Sequence, residues 1–155
     1  PTRRPVPSSW TSSAVPPYDV RTSMEHLNLT TEILDVDEAR RRLPRIEPLV
    51  ATVMETSREL RRIHQQLRDP GEVISDSRDA ELRELATGLE LRFRDALSTM
   101  NGLGAYLKDP DTGLLDFYSW RDGEMVFLCW RHGEETIRHW HGLDEGFAGR
   151  KPLEA

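Results

Sequence analysis

Between Ile46 and Leu67 apolar side chains return every three or four positions: Ile46, Leu49, Val50, Val53, Met54, Leu60, Ile63 and Leu67. Arg58, Glu59, Arg61 and Arg62 fall mostly on the opposite side, so the segment reads as one amphipathic helix. Asp35 followed three residues later by Glu38 has capping-box spacing, and Asp37 and Glu38 place negative charge in a first turn, where the helix dipole favours it. Pro44 and Pro48 lack amide donors, which predicts a short helix to about Leu43, a bend, and a longer helix from near Arg45 to about Arg68. Asp69, Pro70 and Gly71 stop it. A second stripe, Leu82, Leu85, Leu89, Phe93, Ala96, Leu97, Met100 and Leu103, predicts a helix from Asp79 to about Tyr106. Joined by a short connection, the two helices must run antiparallel to bury their stripes.

The period then changes to two. Leu114 to Trp120 and Met125 to Arg131 are runs of strand formers on either side of Asp122-Gly123, a strong short hairpin signal. A two-residue turn pairs Ser119 with Val126, Phe117 with Leu128 and Leu115 with Trp130, an apolar face that should lie on the helices. The other face pairs Trp120 with Met125, Tyr118 with Phe127, Asp116 with Cys129 and Leu114 with Arg131. Glu134 to Leu143 reads as a short third helix, and Gly146, Gly149 and Pro152 predict an irregular end. The expected fold is α+β, mostly α: a long antiparallel helical hairpin, then a β-hairpin and a short C-terminal helix.

Residues 1–23 hold five prolines and many serines without apolar period, so they are expected to form an extended tail, with residues 24–155 a single domain. Trp10 and Tyr18 are the places where that tail would dock. The 155-residue length fits one domain. A net charge of -6 offers no basic field for nucleic acid. No run of about 18 apolar residues and no signal-peptide core occurs, so the expectation is a cytoplasmic protein with no membrane association. The lone Cys129 cannot form an internal disulfide. A two-helix hairpin leaves half of each stripe wet, which predicts a homodimer or higher homo-oligomer, with a four-helix bundle as its simplest form, and leaves room for another protein partner.

Chemistry-bearing side chains gather late in the chain. His132, His139 and His141 lie within ten residues, beside Cys129, Glu134 and Glu135, and the hairpin register brings Asp116 opposite Cys129. Imidazole and carboxylate together suit a mononuclear zinc or iron site with a position left for water or substrate. The candidate ligands are Asp116, Glu134 and His141, with His139 and Cys129 as lesser candidates. In a helix His139 and His141 would project about 200° apart, while Glu134 and His141 would share a face at about 10 Å. In a strand His139 and His141 would instead share a face as a His-x-His pair. The structural alternative has Asp116 bonding Arg131 diagonally, Glu134 and Glu135 at a helix start, His141 in a core-edge hydrogen bond and Cys129 as a small buried hydrophobe. No Gly-rich phosphate loop, nucleophile elbow or paired-cysteine motif is present.

The words Lys108-Asp109, Gly113-Leu114-Leu115-Asp116-Phe117, Leu128-Cys129-Trp130-Arg131, Gly133-Glu134, Trp140-His141 and Gly146-Phe147-Ala148-Gly149-Arg150-Lys151-Pro152-Leu153 resemble the bacterial domain of unknown function 2203 family. The resemblance covers about residues 33 to 153, including Asp37-Glu38-Ala39 and Leu43-Pro44. It implies a small soluble protein with a helical hairpin and no established activity. Tyr118 stands where that pattern has proline, which keeps a ladder donor in the first hairpin strand. Two functions follow: a homo-oligomeric interaction or accessory protein, or a small metal-dependent enzyme or metal carrier.

Overall fold

The computed structural model describes residues 32–69 and 73–154. The tail expected at residues 1–23, with Trp10 and Tyr18, lies outside the described residues. Helix α1 runs Val36–Arg68 and α2 runs Asp76–Gly102, followed by strands β1 (Tyr106–Asp109), β2 (Leu114–Arg121), β3 (Glu124–Arg131) and β4 (His139–Gly142). A 3₁₀ turn at Phe147–Gly149 leads into a two-residue β5, Lys151–Pro152.

The Asp35 carboxylate caps α1 by accepting the Glu38 amide at 2.7 Å. The helix does not break at its prolines. Pro44 and Pro48 both lie within one continuous helix, at exposed positions. The rings therefore sit on the solvent side, while Ala39, Leu43, Ile46, Val50 and Val53 are buried and anchor the helix on both sides of the prolines. The second helix begins at Asp76, three residues before the expected start, and Ser75 caps it by accepting the Arg78 amide at 3.2 Å. Its end is a Schellman motif: Ala105 N–H donates to Met100 and Gly104 N–H to Asn101, both at 3.0 Å, with Gly104 at φ 85°. Tyr106 is thereby released from the helix into β1. A Cβ on Gly104 would lie 2.9 Å from Leu34 Cδ1, so the turn also needs glycine for space.

The five strands form an antiparallel meander in the order β1-β2-β3-β4-β5. Asp122 at φ 52° and Gly123 at φ 80° make the two-residue turn between β2 and β3. Its register is the one read from the sequence: Leu115 opposite Trp130, Phe117 opposite Leu128, Asp116 opposite Cys129. The first two pairs point into the core with Leu107 and Ile137, against Ile46, Val50, Val53, Phe93, Leu97 and Met100. Each large side chain buried there contributes about 1.5 to 3 kcal/mol. The far end of the helical hairpin carries a separate cluster of Leu60, Ile63, Leu82 and Ala86.

Two expectations change. Residues 134–143 do not form a third helix; a turn with Gly133 at φ 99° sends the chain back as β4, pairing Phe127 with His141 and Cys129 with His139. The cause is tertiary: the outer edge of β3 offers a row of backbone donors and acceptors that a helix could not satisfy. Trp130 Nε1–H also fastens the turn, donating to the Glu134 carbonyl at 3.1 Å. The apolar stripes, moreover, are partly covered within the chain: the sheet packs on one end of the helical hairpin, where Val53 is fully buried, while Leu85 of the second stripe stays 54% exposed. Contact between copies would therefore use what the sheet leaves uncovered. Among the described residues no helix is long and apolar enough to cross a membrane.

Candidate functional site

The face of the sheet turned away from the helices is the chemically dense one. Strand alternation puts Asp116 of β2, Cys129 of β3 and both His139 and His141 of β4 on it. Asp116, Cys129 and His141 are at most 3% exposed, and one ligand-type atom from each lies within 4.8 Å of the other two.

His141 Nε2 is 3.0 Å from Asp116 Oδ1, and its Nδ1 is 2.8 Å from the Gly142 carbonyl oxygen. Both neighbours are acceptors. If Nδ1–H donates to the carbonyl, the Nε2 lone pair faces a carboxylate oxygen, and a proton or a metal ion must lie between them. An imidazole whose far nitrogen donates to a backbone carbonyl is the usual posture of a metal-ligating histidine. Gly142 is itself held in place: Glu145 Oε2 accepts its amide at 3.2 Å and accepts from Lys151 Nζ at 3.0 Å. Lys151, and then that amide, keep the Glu145 carboxyl below the usual carboxylate range.

Burial, followed by the adjacent Asp116 charge, pushes the Cys129 thiol up from its ordinary 9.0 to about 12. It is therefore a thiol at neutral pH and no nucleophile. A bound cation reverses that logic, because a coordinating thiol is deprotonated by the metal. Donor atoms around a tetrahedral zinc ion are about 3.3 to 3.7 Å apart, so closing this group onto one ion takes a movement on the order of 1 Å. Three strands of one sheet supply the donors, which keeps them close with or without an ion.

Glu134 does not join this group. It accepts from Arg150 Nη2 through both oxygens at 2.8 Å and from the Arg131 amide at 3.0 Å. Arg150 Nη2 also donates to His139 Nδ1 at 2.9 Å, so His139 belongs to the Glu134 cluster although it shares a face with His141. Asp116 bonds His141 rather than Arg131. An aromatic row, of which the hairpin register had given the Tyr118–Phe127 pair alone, walls the other side: Tyr106 against Tyr118 at 5.4 Å, Tyr118 against Phe127 at 4.6 Å, and Phe127 against His141 at 5.4 Å between ring centroids. Its two ends become visible only once Tyr106 and His141 are placed on strands, β1 and β4.

A helical hairpin packed on one face of a five-stranded antiparallel meander, with a buried aspartate–cysteine–histidine group on the other as the candidate ligand-binding centre among the described residues, defines a small α+β protein. Residues 32–153 match the family described as uncharacterized conserved protein (DUF2203), and the chain belongs to it. That description assigns no activity. No curated protein and no solved structure matches the chain.

Proposed function

We propose that the chain binds a single divalent metal ion through Asp116, Cys129 and His141. The observation that carries this reading is the convergence of three different donor types, all buried, within 4.8 Å. The thiolate and imidazole favour zinc over iron, and the carboxylate limits the charge left on the site. Donors this deeply buried leave a fourth position that only water or a small ligand reaches. The ion ties β2, β3 and β4 together, and carrier or catalytic use depends on what takes that position.

The test is elemental analysis of the full chain purified without chelator, together with cobalt substitution. About one zinc per chain is expected, and the cobalt form should show a thiolate charge-transfer band that disappears in Cys129→Ala. His141→Ala should lose both. A wild-type chain that is metal-free and takes up neither zinc nor cobalt overturns the proposal.

A second reading, a homo-oligomeric interaction protein, is supported by Leu85 and Leu91, which are 54% and 55% exposed on α2. The sheet does not cover them.

A further inference from the structure

The buried side of α2 carries Leu82, Ala86, Phe93, Ala96, Leu97 and Met100. At about 100° per residue, Gly88 points well away from that side, with Leu85 and Leu91 flanking it at equal distances along the helix and on opposite shoulders. Glu84 and Arg92 flank it one residue further out, again on opposite shoulders. Glu81, Glu84, Leu85, Gly88, Leu89 and Arg92 line a shallow depression there.

Gly88 has no use inside the chain. A Cβ on it would meet nothing within 4 Å, and its φ is not in the left-handed region. A glycine in a helix interior costs about 1 kcal/mol relative to alanine, and here no internal packing offsets that. Arg78 pairs with Glu81 and Arg83 with Asp79 on the surface of α2. Glu84 and Arg92 are in none among the described residues, and at about 12 Å apart along the helix they cannot pair with each other.

We propose that α2 pairs with α2 of a second copy, the helices crossing antiparallel with the two-fold axis through Gly88. This deepens the homo-oligomeric reading and rests on it. A two-fold axis at Gly88 sets each residue opposite the partner residue whose number mirrors it about 88. Leu85 then meets Leu91 of the partner subunit, and Glu84 meets Arg92 of the partner subunit, each contact made twice. The missing side chain at Gly88 lets the backbones approach at the crossing point. Apolar contacts close to the axis and opposite charges just outside them are what an isologous helix pair requires. Glu81 would face Asp95 of the partner subunit, but about 10 Å from the crossing the helices have diverged. One crossing buries less than the about 1,200 Å² of a standard interface, so the dimer should be micromolar rather than nanomolar.

The experiment is sedimentation equilibrium of the full chain from micromolar to near-millimolar protein, with circular dichroism of every variant. Wild type should approach twice the 17.9 kDa chain mass. Gly88→Gln should raise helix stability yet weaken association at least about tenfold, opposite signs that a purely internal role cannot give. Glu84→Arg and Arg92→Glu should each weaken the dimer, and the double variant should restore it. A wild-type chain that stays monomeric overturns both this proposal and the homo-oligomeric reading. A dimer indifferent to Gly88→Gln and to the charge reversals overturns this interface alone.

Discussion

Raising the pH of the metal-free chain should destabilise it through one buried thiol, by an amount the site sets. Cys129 sits on β3 between Asp116 of β2 and His139 of β4 with no exposed surface, and its thiol is displaced from 9.0 to about 12. An unfolded chain loses that proton near pH 9, while the folded chain keeps it until about pH 12. Below pH 9 both states hold the proton and the thiol has no effect on the pH dependence. Above pH 9 the unfolded state gains about 1.4 kcal/mol per pH unit, on the order of 3 kcal/mol by pH 11. Urea unfolding of wild type and Cys129→Ala at pH 8, 9, 10 and 11 isolates this contribution, because tyrosine and lysine titrate alike in both. The wild-type curve should fall below that of the variant by the stated slope from pH 9 upward. Saturating zinc should abolish the fall, since a metal-bound thiolate has no proton left to lose. A wild-type-minus-variant difference that stays flat between pH 9 and 11 refutes the argument that burial holds Cys129 as a thiol.

Two further substitutions bear on the turn and on the limits of the site. Gly104→Ala forces a Cβ into the left-handed region and against Leu34 Cδ1 at 2.9 Å, so thermal unfolding should show a loss of about 1 to 2 kcal/mol or more. Glu134→Gln weakens the paired contacts to Arg150 and should cost about 1.5 kcal/mol in urea unfolding, while zinc content stays at the wild-type level; loss of the metal in this variant would bring Glu134 back among the ligands.

The helices and the hairpin were legible in the sequence because their causes are local. Asp35 and the three-and-four spacing from Ile46 to Leu67 need only the helix's own geometry, and Asp122-Gly123 sets the β2–β3 register whatever surrounds it. Two of the three donors followed at once, since that register alone brings Asp116 beside Cys129. Prolines at 44 and 48 misled because their effect depends on which side of the helix is wet, a property of the packed molecule. Residues 134–143 misled for a stronger reason. Their own preferences permit a helix, but the unpaired edge of β3 selects a strand, and the change from a period of 3.6 to a period of 2 reverses which side chains meet. As a helix the segment would align Glu134 with His141. As β4 it leaves Glu134 in the turn beside Arg150 and turns His141 towards Asp116 and Cys129. The chain's local chemistry thus determined the elements and one pair of the site, whereas the third donor was decided by long-range backbone pairing, which no window of neighbouring residues contains.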